Sequence, residues 1–290
     1  EEARRLSQGR GAVGVNILCA IEGYDAAVQA AVAGGAQLIV SGAGLPLNLP
    51  GLVGTADVAL VPIVSSARAL SVICKHWSRR FNRLPDAVVL EGPESGGHQG
   101  VAAEACGLEA HRLEVLLPSV LAERDRWGDF PVLAAGGIWD RGDIDRMLAL
   151  GAGGVQMATR FIGTHECDAH PAFKDTILRA QAEDIVLMKS PVGMPARGVH
   201  SALHRHIEAG SAPPIACVSH CLQPCGHGRG AREAGYCIAD RLADAWMGRE
   251  DSGLFFCGSN GARLRDLQSV RDLVEALTQD PGLSRLHAEH

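Results

Sequence analysis

Two glycine-rich segments contain the residue types best suited to chemistry. The first runs from Glu91 to Gly100 and reads Glu-Gly-Pro-Glu-Ser-Gly-Gly-His-Gln-Gly. Its glycines, Gly96 and Gly97 among them, let the main chain approach a flat ligand closely and hold His98 on a loop. Histidine is the side chain best suited to move a proton near neutral pH, and the alternative is a surface loop with an incidental histidine. We expect a proton-transfer site here.

The second segment reads Pro-Val-Leu-Ala-Ala-Gly-Gly-Ile, ends at Ile138 and is followed one repeat later by Gly-Val-Gln-Met-Ala-Thr-Arg. Gly136 and Gly137 expose backbone amides, and Thr159 adds a hydroxyl donor, as in phosphate sites after the last strands of barrels. The alternative is a pair of tight turns, and Arg160 either neutralises the phosphate or pairs with an acid. Together the two segments predict a phosphorylated planar cofactor near the histidine, and FMN fits that description.

These segments need a scaffold, and the chain alternates short apolar runs with helical patterns. The spacing of the runs leaves room for one crossover helix between them, as repeated βα units of a parallel sheet require. The runs are apolar almost throughout, which indicates burial on both faces. The predicted strands are Val13–Leu18, Ala36–Gly42, Ala59–Ser65, Ala87–Gly92, Pro131–Gly136 and Gly154–Arg160.

The intervening helices have their own start, stop and core patterns. Ser65 or Ser66 caps one helix, and Asp140 caps another that Gly151 closes in a left-handed turn. The stripes expected to face the core are Leu70, Ile73, Cys74 and Trp77 on the first helix, and Ile144, Met147 and Leu148 on the second.

Glycine placement decides between an open doubly wound sheet and a closed (β/α)8 barrel. Glycine-rich turns follow several strand ends, and no G-x-G-x-x-G follows the first strand, so we favour the TIM barrel. Only six strands are visible, so we expect that two more precede Glu1 in the native protein or that the strand count is wrong. We predict a barrel over 11–189, which would bind FMN.

From residue 190 onward, prolines interrupt the pattern and cysteines become frequent. We predict a C-terminal cysteine-rich helical extension over 190–290, packed on the barrel, with helices at Cys237–Met247 and Asp266–Thr278. Because its helices are apolar, we include a homodimer as a hypothesis.

Composition excludes several classes of protein. The formal net charge is −6 with the signs interspersed, and aromatics are 4%, which argue against nucleic-acid binding. Glycines and prolines interrupt the longest uncharged stretch, Ala26 to Ala56, so no membrane span is expected. Nine cysteines and no secretory signal favour a reducing cytoplasm. A small molecule is the expected partner.

Two further clusters contain metal-ligating residue types, and we assign no metal to either. One contains four cysteines with two histidines interleaved, and its spacing leaves open a metal or iron–sulfur site or simply buried thiols. The other, three histidines around a short helix, is more typical of an exposed helix face. The clusters are Cys217, Cys221, Cys225, Cys237, His220 and His227, and His200, His204 and His206.

Four runs, at 84–100, 131–138, 151–161 and 190–198, resemble the nitronate monooxygenase family, formerly called 2-nitropropane dioxygenases. The FMN-dependent enoyl-acyl carrier protein reductases of bacteria share that fold and those motifs. The resemblance implies an FMN-binding (β/α)8 barrel, which we expect to lack its first strands here, because nothing before Gly14 supplies the family's first flavin contact.

The resemblance also implies roles for individual residues. Asn16 lies beside the flavin, Glu91 lies beneath its ring, and His98 is the base or proton donor. The close-approach glycines are Gly96 and Gly97, and the phosphate is held by Gly136, Gly137, Ala158 and Thr159. The family usually has glycine where Ala158 stands, which would shift one phosphate-binding amide.

The implied function is oxidation of nitronates or nitroalkanes with O2, with His98 as the proton-transfer base. One alternative is an NAD(P)H-dependent reduction of an enoyl thioester on the same barrel. Another is a flavin-free binding or assembly protein.

Overall fold

The computed structural model describes residues 1–217, 220–226 and 228–279. The strands in these ranges are β1 Gly14–Leu18, β2 Leu38–Gly42, β3 Ala59–Val64, β4 Val88–Glu91, β5 Gly97–His98, β6 Val132–Ala135, β7 Gly154–Gln156, β8 Ile185–Lys189 and β9 Pro195–Val199. The α-helices are α1 Glu2–Ser7, α2 Tyr24–Ala33, α3 Leu49–Val53, α4 Ala67–Phe81, α5 Leu113–Arg124, α6 Arg141–Ala149, α7 Thr159–Ile162, α8 Pro171–Arg179, α9 Ala202–Glu208, α10 Arg229–Ala234, α11 Ile238–Trp246 and α12 Val270–Thr278.

Six strands form one parallel sheet in the order β1-β2-β3-β4-β6-β7. Helices connect them, so the fold is the α/β, TIM-barrel type that the sequence predicts. A closed barrel of this type has eight strands, whereas this sheet has six within the described ranges and ends at β1 and β7. The carboxyl ends of the strands lie at one edge, where Glu91 is in register with Ala135 and Ala135 with Gln156.

Two predicted strands differ from the structure. The sixth was predicted to reach Arg160, but β7 stops at Gln156 and α7 begins at Thr159. The reason lies in its neighbour, because β6 ends at Ala135 and leaves no strand to pair with residues 157–160. Burial on both faces is also wrong for β1, in which only Ile17 is buried, because an edge strand has one neighbour.

The predicted helix caps are confirmed with one correction to the core stripes. Ser66 rather than Ser65 caps α4, with its hydroxyl accepting the Ala69 N–H at 3.2 Å. Asp140 and Asp143 form a capping box at α6. The correction concerns Leu148, which is 41% exposed because it lies about 100° around the helix from the buried Met147.

A second, antiparallel sheet has the strand order β5-β9-β8, and its strand β5 lies in the loop after β4. Neither β8 nor β9 was predicted. The sheet pairs His98 with Ala196 and Gly97 with Arg197. The predicted boundary at residues 189/190 falls between the paired strands β8 and β9, and the division into 11–189 and 190–290 stays a prediction. The two helices predicted after residue 230 correspond to α11 and α12.

The largest hydrophobic core lies between the parallel sheet and its helices, with Leu70, Trp77 and Leu117 fully buried. A second core contains Trp139, Ile177 and Phe255. Among the helices of the described ranges, none combines the length and the hydropathy that crossing a bilayer requires.

Candidate functional site

A cavity of about 250 Å³ opens at the carboxyl ends of β4, β6 and β7. Its walls come from the loop after β4, the turn after β6, the start of α7 and the segment 256–260. The volume lies just below the range of about 300–1,000 Å³ typical of small-molecule pockets. The predicted site residues on its wall are Glu91, Gly96, Gly97, Gly136, Gly137, Ala158 and Thr159.

The glycines of this cavity let protein segments approach one another, which differs from the close ligand approach predicted from the sequence. A Cβ on Gly96 would lie 2.6 Å from the carbonyl carbon of Cys257, and one on Gly136 would lie 2.7 Å from the Gly92 oxygen. Gly136 and Gly137 also have φ angles of 91° and 81°, in the left-handed region. The wall can close only because these positions lack side chains.

The turn after β6 presents two main-chain donors. Within the described ranges, no main-chain oxygen accepts a hydrogen bond from the Gly136 or Gly137 N–H. Such groups favour an anion. The nearby Glu94 carboxylate would repel an anion bound here. It lies directly against Gly137, since a Cβ on that glycine would collide with Glu94 Oε2. The same oxygen accepts a hydrogen bond from Ser259 Oγ at 3.3 Å.

The chain segment after Cys257 holds this turn in place. Thr159 Oγ1 accepts the Gly258 N–H at 2.9 Å, and Asn260 Nδ2 donates to the Gly137 carbonyl at 2.7 Å. The Thr159 hydroxyl proton remains available for a ligand, since oxygen is the acceptor in its bond to Gly258.

Glu91 ends β4 at the bottom of the cavity. Burial raises the pKa of its carboxyl to about 7. The carboxyl is therefore partly protonated at neutral pH and can donate as well as accept a hydrogen bond.

His98 lies on β5, next in sequence to the wall residue Gly97, and does not itself line the cavity. Its Nε2 lies 2.7 Å from Ser190 Oγ, and its ring meets the Phe256 ring edge-on with centroids 5.7 Å apart. Phe256 lies on the wall and so connects the imidazole to the cavity. Burial lowers the pKa of His98, which keeps the ring neutral at pH 7.

Asn16 is not brought to this cavity. It lies exposed on β1, at one edge of the six-stranded sheet, whereas β7 forms the other edge. Asn16 is therefore not among the residues that line the cavity, and its predicted place beside the flavin stays a prediction.

The structure gives Arg160 a main-chain partner, and the two roles predicted for it, neutralising the phosphate or pairing with an acid, stay predictions. It donates from Nη1 to the Trp139 carbonyl at 2.9 Å and stacks over the Trp139 ring at 4.9 Å. Arg263 lies over the same ring at 5.2 Å. Trp139 is a wall residue, so both cations lie near the cavity without reaching into it.

Several wall residues were not found by sequence reasoning. Three of them come from the segment 256–260, which follows the Gly136 turn by 120 residues or more, so no local pattern connects it to the site. Arg197 was missed as well, although it donates to the Ser95 carbonyl at 3.3 Å and so secures the loop after β4. The missed wall residues are Trp139, Gln156, Phe256, Cys257 and Asn260.

The cysteine and histidine clusters form no metal site in the part of the chain that the structure describes. Groups of three or more His, Cys, Asp or Glu able to hold a metal are absent there, and His227 lies outside that part. Cys225 and Cys237 are buried in a small apolar cluster. The exposed face predicted for the histidines is wrong for His204, which is buried and accepts the Ser201 N–H in the capping box of α9.

Comparison with known proteins places these residues in a family context. Over 114 residues the chain is 40% identical to a probable nitronate monooxygenase of Bacillus subtilis, a match covering 39% of this chain and 32% of that relative. The chain therefore spans about a third of the length of the curated relatives it matches.

Two solved structures share the fold across nearly the entire chain. FabK from Thermotoga maritima has a TM-score of 0.75 at 24% identity, covering 100% of this chain and 82% of its own. Nitroalkane oxidase from Streptomyces ansochromogenes has a TM-score of 0.71 at 22% identity, covering 99% and 85%. The model of the nitronate monooxygenase family matches residues 3–280, and the protein therefore belongs to that family.

Proposed function

We propose that the protein is an FMN-dependent oxidoreductase that oxidises nitronates or nitroalkanes with O2. The observation that carries the proposal is the pair of Gly136 and Gly137 amides, which have no main-chain acceptor among the residues that the structure describes. They lie in a cavity whose wall leads through Gly97 directly to His98. Nitronate monooxygenases and a nitroalkane oxidase among the similar proteins support the substrate class.

The hydrogen-bond donors at this cavity fit the phosphate of FMN. The amides of Gly136 and Gly137 and the hydroxyl of Thr159 would hold the phosphate, and the Ala158 main chain would complete the cradle. FMN, when bound, supplies the redox chemistry that amino-acid side chains lack. The Glu94 carboxylate has to move away from Gly137 for the phosphate to enter. Its side chain is exposed, and the move would break its 3.3 Å hydrogen bond from Ser259 Oγ.

The protein's own residues would bind and orient the substrate and transfer its proton. His98, kept neutral by its lowered pKa, accepts the α-proton of a nitroalkane, whereas a nitronate arrives already deprotonated. Glu91 donates a hydrogen bond from the bottom of the cavity while it is protonated. Phe256 and Trp139 are the apolar wall that keeps water from the reacting groups.

The first test is binding of FMN in comparison with riboflavin, which lacks the phosphate. We expect a yellow complex with FMN and affinity for riboflavin weaker by about 10-fold or more, because charge-assisted bonds to the phosphate are lost. Absorption and fluorescence titration measure both. No binding of either flavin would leave the flavin-free binding protein as the better interpretation.

The second test is the reaction itself, with His98→Gln as the variant. Nitronate-dependent oxygen uptake supports the proposal, whereas NAD(P)H consumption that depends on an enoyl thioester supports the reductase. With nitroalkane, His98→Gln should lose about 100-fold or more in kcat/KM while FMN affinity stays within about 2-fold. With preformed nitronate the loss should be smaller. If His98→Gln loses the same factor in kcat/KM on the nitroalkane and on the preformed nitronate, His98 is not the base.

We also propose a cytoplasmic location and a homodimer, which fractionation and light scattering test. Exposed apolar side chains at the end of α11, Trp246 and Met247, support an interface there.

A further inference from the structure

Three alternate carbonyl groups of the loop after β4 accept hydrogen bonds from two side chains. Gln99 Nε2 donates to the Ser95 carbonyl and to the Gly97 carbonyl, each at 2.9 Å. Arg197 Nη1 donates to the Ser95 carbonyl at 3.3 Å and also to the Pro93 carbonyl. Because both side chains bond to the Ser95 carbonyl, they act on the loop together, and we call this pair the clamp.

The small antiparallel sheet holds both residues of the clamp. Arg197 lies on β9, where it is paired with Gly97 of β5. Gln99 directly follows β5, and its N–H donates to the Pro195 carbonyl at the start of β9 at 2.8 Å. The strand β9 is paired with β8 along its other edge. The clamp therefore fixes the loop after β4 to a strand that comes about 100 residues later in the chain.

Gln99 is 2% exposed, and its hydrogen bonds leave its amide only one orientation. Two carbonyl oxygens lie at Nε2, and only the NH2 end of an amide can donate to them. The other end, Oε1, is buried and has no hydrogen-bond partner among the residues that the structure describes. A buried acceptor without a partner destabilises a fold. What this side chain contributes is therefore the pair of bonds from Nε2 to the loop.

The clamp decides which groups the loop directs toward the cavity. In a trans peptide, a carbonyl group and the N–H that follows it point in opposite directions. The Ser95 carbonyl points to the clamp, so the Gly96 N–H points away from it. Gly96 lines the cavity, whereas the two clamp residues do not. Within the described part of the chain, no main-chain oxygen accepts the Gly96 N–H, which leaves it available to a ligand.

The clamp also surrounds His98 in the sequence. The residue before it, Gly97, has its carbonyl bonded to Gln99, which is the residue after it. Both peptides that join His98 to the chain are therefore held, and a movement of either one would displace the imidazole. Displacing a catalytic group by about 1 Å lowers the rate by up to about 100-fold.

We infer that Gln99 and Arg197 are positioning residues, which hold the loop after β4 in the conformation that places the His98 imidazole against the substrate carbon. Neither residue lines the cavity, so both act through the loop. The catalytic part of this inference rests on the proposed function, whereas the clamp itself does not.

The direct test of the clamp is hydrogen exchange of the Gln99 side-chain amide, assigned by NMR through its own backbone resonances. Gln181 provides the comparison, because it is exposed and its Nε2 donates one hydrogen bond, to the Arg179 carbonyl at 3.1 Å. We expect the Gln99 amide to exchange slower than the Gln181 amide by about 100-fold or more, since Nε2 has two acceptors in a buried place. Equal exchange of the two amides overturns the clamp.

Kinetics at saturating FMN test the positioning role, with Gln99→Met as the variant that keeps the length of the side chain and removes both bonds. With nitroalkane we expect kcat to fall by about 30-fold with KM within about 3-fold. With preformed nitronate, which needs no base, the loss should stay below about 3-fold. Gln181→Met should match the wild type on both substrates. Equal losses of Gln99→Met on both substrates, or no loss, overturn the positioning role.

Arg197 shows whether the two residues act as one unit. Arg197→Met should lower kcat on nitroalkane by about 10-fold, and Arg197→Lys, which can still donate to a carbonyl, should recover most of it. The double variant Gln99→Met with Arg197→Met should lose no more than about 3-fold beyond the larger single loss, because both changes release the same loop. Losses that multiply overturn the single clamp.

Two outcomes separate this inference from the proposed function. If the wild type neither binds FMN nor oxidises nitroalkanes, the proposed function fails, and the exchange of the Gln99 amide still decides whether the clamp exists. If the wild type oxidises nitroalkanes and Gln99→Met does so equally well, the positioning role fails alone. Should Gln99→Met not fold, the exchange measurement on the wild type and the two Arg197 variants decide.

Discussion

Glu94 is the residue whose charge most directly opposes the proposed phosphate. Its carboxylate packs against Gly137, one of the two glycines whose amides have no main-chain acceptor in the described part of the chain. Like charges a few ångströms apart near a protein surface repel by roughly 1 kcal/mol or more, and salt weakens the repulsion. We expect Glu94→Gln to tighten FMN binding by about 3- to 10-fold at low ionic strength.

The controls for this prediction isolate the phosphate and the position. Riboflavin affinity should not change in Glu94→Gln, because riboflavin has no phosphate. The exposed Glu183, which is not part of the cavity wall, provides the matched variant Glu183→Gln with unchanged affinity for FMN. Equal tightening of FMN and riboflavin would show that Glu94 acts by blocking space rather than by charge.

Glu91 makes the stability of the protein depend on pH. Burial raises the pKa of this carboxyl from 4.5 to about 7, so the folded state binds the proton more tightly than the unfolded state. Its contribution to stability is complete below pH 4.5 and is lost as pH rises to 7. The shift corresponds to roughly 3 kcal/mol.

The variant that tests this is Glu91→Gln, which cannot ionise. We expect the difference in free energy of unfolding between Glu91→Gln and the wild type to increase in favour of the variant from pH 5 to pH 8. Urea unfolding at several pH values measures it. A difference that stays constant over this range would mean that the buried carboxyl titrates near its ordinary pKa.

At the scale of elements, the turn between β6 and α6 positions the proposed phosphate donors and depends on Gly136. Alanine there would adopt a φ of 91° and place its Cβ 2.7 Å from the Gly92 oxygen. We expect Gly136→Ala to destabilise the protein by about 2–4 kcal/mol in urea unfolding and to abolish FMN binding.

Gly23 separates backbone strain from collision in this experiment. It has a φ of 81°, and no atom of the described residues lies within 4 Å of the place that a Cβ would occupy, so Gly23→Ala introduces the strain alone. We expect a cost of about 1–2 kcal/mol there. Similar costs for both variants would contradict the close approach of the two turns.

The elements that depend on residues nearby in the sequence could be predicted, whereas the elements that depend on contacts with distant parts of the chain could not. The caps at Ser66 and Asp140 and the parallel strands were found because neighbouring residues determine them. The strand β9 and the end of β7 were not, since both depend on which strand lies alongside. For the same reason the sequence motifs located the glycines and His98, while Ser190 and Phe256 became evident only from the folded chain.

At the scale of the whole molecule, the second hydrophobic core joins the two predicted parts of the chain. Trp139 and Ile177 come from the predicted barrel, and Phe255 and Leu264 come from the predicted extension. Thr159 Oγ1 of the predicted barrel also accepts the Gly258 N–H of the predicted extension at 2.9 Å. Because the parts share a core, neither can lose its structure without exposing apolar surface of the other.

This arrangement predicts one cooperative unfolding transition, and Phe255 is the place to test it. The side chain is fully buried and meets the Phe173 ring edge-on, with centroids 5.2 Å apart. Phe255→Ala should cost about 3–5 kcal/mol, and hydrogen exchange should accelerate in β3 and α11 alike, because both report the same global opening. If the variant loses protection in α11 alone while β3 stays protected, the two parts unfold separately, and the cavity wall at residues 256–260 would then open independently of the sheet.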